Sequence, residues 1–99
     1  LSEARVADAI REHWDGLDRM TNRHFRFGAG FMLSCAPAPF GGHRANFGHM
    51  GIGGAIAFGD PARRLGFSYC GNRMAPIADE GPFAGALVAA TYAALEEMG

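Results

Sequence analysis

The sequence predicts an α+β fold, with three antiparallel strands flanked by an amino-terminal and a carboxy-terminal helix in one unit covering residues 1–99. Three observations carry that expectation. Apolar residues recur at helical spacing near both ends, at Val6, Ile10, Trp14 and Leu17 and again at Phe83, Leu87, Val88, Tyr92, Leu95 and Met98. Between them, bulky and small residues alternate with a period of two. Short segments rich in Gly, Pro and Asp join the alternating runs, and connections that short return a strand antiparallel to its predecessor.

Ser2 suits an N-cap because its hydroxyl can accept a first-turn N–H, so a helix is expected over 3–14, with Gly16 as its stop. The polar run 18–24 reads as a connection. A first strand is expected over 26–34, where Phe27, Ala29, Phe31 and Leu33 alternate with Gly28, Gly30 and Met32. Ala36-Pro37-Ala38-Pro39-Phe40-Gly41-Gly42 is a loop by composition. The second strand falls over 51–58, with Ile52, Ile56 and Phe58 on one face, and 59–63 turns the chain. The third, over 65–72, sets Leu65, Phe67 and Tyr69 against Gly66, Ser68 and Cys70. Pro82 fits the first position of the last helix, with Asp79 and Glu80 beside the positive end of its dipole. Alanines and Gly85 fill the remainder of that helix, which predicts close packing on more than one side. One sheet edge is expected to stay unpaired.

Composition removes several classes of function. Net charge is −1, and all nine basic residues are scattered arginines, which is no footprint for nucleic acid. The longest nearly apolar run covers 83–95, too short for the roughly 20 residues of a membrane span. The chain begins at Leu1 without a signal-peptide pattern, so its start is expected to reflect truncation or processing. Cys35 and Cys70 read as buried small hydrophobes, with a bridge between them as the alternative. The compartment is left open by this.

The candidate for chemistry is His49, set between Gly48 and Gly51 where backbone can approach a ligand closely. His43 is expected to face solvent from a glycine-rich loop, and His13 and His24 to lie on the surface. Cys35, His43, His49 and Cys70 follow no metal-ligand spacing, so no metal is expected, and no cofactor. Gly51-Ile52-Gly53 lacks the third glycine of a dinucleotide fingerprint, and a P-loop needs a lysine that the chain does not have. None of Ser2, Ser34 and Ser68 sits in a nucleophile elbow, and Ser68 reads as a small residue beneath a close-packed helix.

Phe47-Gly48-His49-Met50-Gly51-Ile52-Gly53-Gly54, the Asp60-Pro61 turn and Leu65-Gly66-Phe67-Ser68-Tyr69 leading into Asn72-Arg73-Met74 resemble the carboxy-terminal portion of the serine β-lactamase-like hydrolases. That group includes related esterases, D-amino peptidases and penicillin-binding-protein relatives. The resemblance extends from about residue 14 to the end of the chain. It implies a serine acyl-enzyme mechanism, with the serine activated by a lysine three residues on and assisted by a tyrosine. The third motif of that mechanism is Lys-Thr-Gly or, in many esterase-like members, His-x-Gly, which His49-Met50-Gly51 matches.

By this resemblance His49 holds the proton-transfer network, Gly51 keeps the strand open, and the backbone N–H of Ile52 donates to the oxyanion. Met50 stands at a substrate-binding position where the family often carries Thr or Ser. Methionine offers no donor there, which shifts the implied substrate from a β-lactam or peptide carboxylate toward a neutral ester. Ser-x-x-Lys is impossible without lysine, so the chain reads as a fragment of a catalytic domain whose nucleophile lies elsewhere. Its implied partners are a small-molecule ester or amide and the remainder of that domain. Two rivals are a non-catalytic α+β interaction module, binding through an exposed sheet face or edge, and a hydrolase-like pseudoenzyme.

Overall fold

The computed structural model describes residues 1–35, 40–74 and 82–99, with 82 and 83 by backbone only. Two helices, α1 (Glu3–Ala9) and α2 (Pro82–Met98), bracket six strands: β1 (Trp14–Asp18), β2 (Arg23–Phe27), β3 (Met32–Leu33), β4 (Phe47–Met50), β5 (Ile56–Asp60) and β6 (Leu65–Tyr69). The strands form one antiparallel sheet in the order β1-β2-β3-β4-β5-β6, each paired with its neighbour in sequence. The fold is α+β as expected, but the three-strand expectation is corrected to six.

The extra strands come from three places. Ser2 caps α1, its Oγ accepting the Arg5 N–H at 3.2 Å, but the helix ends at Ala9 rather than at residue 14. The main-chain N–H groups of Ala29 and His13 bond to Ala9 O and Phe27 O, both at 2.8 Å, so the chain leaves the helix directly into a ladder. Trp14, expected on the helix, opens β1 opposite Phe27, with ring centroids 6.2 Å apart. Close approach is possible because residue 28 is glycine: a Cβ there would lie 2.5 Å from Ala9 O.

The supposed connection 18–24 is a hairpin turn. Asp18 Oδ2 accepts the Thr21 N–H at 2.8 Å and the Thr21 hydroxyl at 2.6 Å, and Asn22 takes the left-handed conformation at φ 58° that asparagine tolerates. The single strand expected over 26–34 is split by a turn, closed by the Gly28 N–H donating to Phe31 O at 2.9 Å. The strand expected at 51–58 begins only at Ile56; its earlier half is a turn, with the Gly51 N–H donating to Ala55 O at 2.8 Å. The fourth pairing partner is therefore β4, the strand that carries His49.

Register decides what each face presents. Met32, Gly48, Phe58 and Phe67 lie in one row, and Met50, Ile56 and Tyr69 in the next, all on the face that α2 covers. There Met32, Phe40, Ile56 and Phe58 meet Ala84 and Val88 of α2 in a small core. Of the expected α2 face, Val88 is buried, while Leu87 and Met98 point outward at 46% and 83% exposure. The buried stripe instead passes through Ala84, Val88 and the half-buried Tyr92, spaced by four residues. The Asp79 and Glu80 positions and the loop residues 36–39 lie outside the described residues.

Among the described residues the opposite face is open over β4, β5 and β6, while Arg26 and Leu33 are buried on it. His49, Ala57 and Ser68 share a row on it. Ser68, expected beneath a helix, is exposed, because α2 lies on the other side. Cys70 is likewise exposed and Cys35 half-buried, both free thiols, so neither behaves as the core residue expected.

The folded core is anchored by one buried polar cluster. Asp60 is 1% exposed and sits at the end of β5 beneath Tyr92, whose hydroxyl donates to Asp60 Oδ2 at 2.7 Å. The Arg63 N–H donates to Asp60 Oδ1 at 3.1 Å, and Asn46 Nδ2 donates to Tyr92 Oη at 3.0 Å and to Phe40 O at 2.7 Å. Burial pushes the Asp60 carboxyl up, but the Tyr92 and Arg63 donors and the nearby positive charge outweigh it, leaving the group below its ordinary value. Burial and the bond to Asp60 together push Tyr92 up to about 12. His43 also joins this cluster rather than facing solvent. Its ring lies 5.4 Å from Tyr92, and Nε2 accepts from Arg63 Nη1 at 2.8 Å.

Candidate active site

Three consecutive positions at the end of β4 have different surroundings. His49 is exposed on the face opposite α2. Its Nδ1 lies 2.7 Å from Met50 O, and a carbonyl can only accept, so Nδ1 carries the proton. The other ring nitrogen, Nε2, has no partner among the described residues. Met50 points the other way, to the α2 side, where it packs against the core cluster. The position expected to touch substrate therefore presents its side chain to the opposite face from His49.

Gly51 closes the 51–55 turn through its own N–H. A Cβ at Gly51 would meet nothing nearer than the Ala55 Cβ, at an ordinary 3.5 Å. The chain itself does not demand a glycine there, which contrasts with Gly48, where a Cβ would fall 2.0 Å from Ala57 O. Gly54 completes the turn at φ 97°, a conformation that favours glycine, and its N–H donates to Gly51 O at 3.1 Å. The two N–H groups between them, those of Ile52 and Gly53, donate to no described residue. Ile52 is 81% exposed, so its N–H lies in a projecting turn of small residues. Met74 packs over Gly53 at 3.1 Å from the ideal Cβ position, placing the end of the 70–74 segment beside the same turn.

Residues 49–53 thus carry an imidazole nitrogen and two main-chain N–H groups with no partner among the described residues. Such donors stabilise oxyanions in acyl transfer when they face the developing charge. Ser68 shares the row of His49 but stands two strands away, roughly 10 Å by sheet spacing, and no bond joins them. His13 is exposed, and His24 pairs with Asp15 on the β1–β2 hairpin. Among the described residues no group of three His, Cys, Asp or Glu side chains could hold a metal, and no helix is long and apolar enough to cross a membrane.

Sequence reasoning missed Thr21 and Arg23. They line a cavity of about 430 Å³ together with Phe25, Met32, Met50 and Ile52. The Asp18–Thr21 turn signature could have revealed the hairpin, but only the folded sheet brings it to the 51–55 turn.

The helix, the antiparallel meander carrying His-x-Gly at a strand end and the helix packed across that sheet make a portion of the β-lactamase-like fold, and three solved structures match it. EstA from Arthrobacter nitroguajacolicus Rue61a matches the whole chain at TM-score 0.88 and 29% identity. A family VIII carboxylesterase matches 94% of the chain at TM-score 0.87 and 31% identity. A penicillin-binding protein homolog from Caulobacter crescentus matches 94% at TM-score 0.84 and 32% identity. The chain spans only about a quarter of the length of these three proteins, 26%, 25% and 25%. No family model and no curated protein matches it.

Proposed function

We propose that this chain is the His-x-Gly-bearing part of a serine hydrolase that cleaves small esters through an acyl-enzyme. The observation that carries the reading is the end of β4, where neither His49 Nε2 nor the Ile52 N–H has a partner among the described residues. Similarity to a family VIII carboxylesterase favours an ester over an amide. In this reading a serine outside these residues attacks the ester carbonyl, forming a new C–O bond and expelling the alcohol, which takes up a proton. Water then attacks the acyl-serine, releasing the acid and restoring the hydroxyl.

The Ile52 N–H stabilises the oxyanion in both steps, a contribution of about 3 kcal/mol for such a donor. His49 keeps the proton network oriented, and Gly51 leaves room for the substrate. The 99 residues alone hydrolyse no ester, because no Ser-x-x-Lys can occur in them. The test uses the protein with its upstream portion attached. There His49→Ala lowers kcat/KM for p-nitrophenyl acetate by about a hundredfold, with far-UV circular dichroism unchanged. An unaltered acylation rate in a folded variant removes His49 from the mechanism, and robust turnover by the 99-residue chain refutes the fragment reading.

A further inference from the structure

The cavity beside Ile52 has a polar end and an apolar body. Phe25, Met32, Met50 and Ile52 supply the apolar wall, and Thr21 and Arg23, from the β1–β2 hairpin, supply the polar part. Its volume of about 430 Å³ falls in the range of small-molecule pockets. It lies on the α2 face, opposite His49, and reaches the proposed oxyanion donor only at Ile52, in the turn at the strand end where the two faces meet.

Arg23 stands there without a carboxylate among the described residues. Asp18 lies opposite it in the β1–β2 register, but the Asp18 carboxylate is turned onto Thr21, which it holds by two hydrogen bonds. Arg11, Arg26, Arg44 and Arg63 have acidic partners, and of the remaining arginines, which have none among the described residues, Arg23 is the one that lines the cavity. A cation at the rim of an apolar cavity, with its nearest acid already engaged, suits an apolar ligand group that ends in a negative charge.

We infer that this cavity receives the acyl arm of the substrate and that Arg23 binds a carboxylate at the far end of that arm, so that the preferred ester is a monoester of a short dicarboxylic acid. The inference rests on the reading of the Ile52 N–H as the oxyanion donor, which fixes where the arm begins. It also agrees with methionine at position 50. A carboxylate next to the scissile bond finds no hydroxyl there, whereas a remote one finds Arg23.

The experiment compares p-nitrophenyl pentanoate with mono-p-nitrophenyl glutarate, arms of equal length that differ in the terminal charge, in the protein with its upstream portion. The expected result is a five- to tenfold higher kcat/KM for the glutarate ester at low ionic strength, expressed mainly in KM and reduced by 0.5 M salt. Arg23→Gln removes that preference, Arg23→Lys restores part of it, and Arg5→Gln on α1 keeps the wild-type ratio. An unchanged ratio in Arg23→Gln, with both esters turned over, overturns the inference and leaves the proposed function standing. Failure to hydrolyse either ester overturns both.

Discussion

Tyr92→Phe isolates one hydroxyl at the centre of the buried cluster. The substitution keeps the ring that stacks 6.5 Å from Phe58 and removes only the donor to Asp60 Oδ2 and the acceptor for Asn46 Nδ2. Asn46 keeps its bond to Phe40 O, so its loss is small. Asp60, at 1% exposure, keeps the Arg63 N–H on one oxygen, but the other oxygen loses its 2.7 Å donor. Arg63 Nη1, at 3.7 Å, is beyond hydrogen-bond distance. A hydrogen bond to a charged buried acceptor contributes about 1.5–3 kcal/mol, so a destabilisation of about 2 kcal/mol is expected.

Urea unfolding of the purified chain, followed by the fluorescence of Trp14, its sole tryptophan, measures this directly. With a slope of about 1.5 kcal/mol/M the midpoint falls by about 1.3 M. Asp60→Asn weakens the same contact, and in a double-mutant cycle the two losses are less than additive. A midpoint shift below about 0.3 M, or strict additivity, refutes the assignment of Tyr92 as the partner of a buried charge.

Stability should form a plateau bounded by the same two groups. Asp60 is depressed, so its contribution is present above the unfolded carboxylate value near 4 and is lost as pH falls through the lower folded value. Tyr92 is raised to about 12, so its contribution is present below about 10 and is lost as pH rises from 10 to 12; denaturation midpoints across pH check both edges. Gly51→Ala leaves the melting temperature nearly unchanged while lowering ester turnover in the protein with its upstream portion. Gly48→Ala, which drives a Cβ into the β5 backbone, instead destabilises the fold strongly, and equal melting temperatures for the two variants contradict this distinction. Arg26 is 7% exposed and donates from Nε to Glu12 at 2.5 Å and from Nη1 to Ser34 O at 2.7 Å. Arg26→Lys cannot reproduce that fork and lowers stability by about 2–4 kcal/mol, measured by the same urea titration.

The carboxy-terminal half of the sheet was the more legible part. Phe67 and Tyr69 alternate with Gly66 and Ser68 on two distinct faces, and β6 lies where that pattern puts it. Pro82 begins α2 because its fixed φ and missing N–H suit a first turn. The amino-terminal half misled because Val6, Ile10, Trp14 and Leu17 fit a helix by spacing alone. What ends that helix at Ala9 is tertiary, namely its terminal carbonyl captured by the 28–31 turn.

The glycines at 28 and 30 hid a turn inside what looked like one alternating strand, since Gly30 at φ 86° leaves no side-chain signal. At the candidate site the glycines singled out His49, but neither the separate strand that carries it nor its tautomer, which depends on Met50 O, was legible. Nor was the cavity, whose walls lie up to thirty-one residues apart in sequence.

The meander has a kinetic consequence. Every strand finds its partner immediately before or after it in the chain, so the sheet can zip up through short loop closures, the pairings that form fastest. The contacts that lock α2 are of another kind, with Tyr92 reaching back 32 residues to Asp60 and 46 to Asn46. Folding of this unit therefore has a natural order, a quickly formed sheet followed by a late-docking helix. The carboxy-terminal helix then governs how fast the unit comes apart: weakening the Tyr92 latch accelerates unfolding while leaving the rate of sheet formation almost untouched.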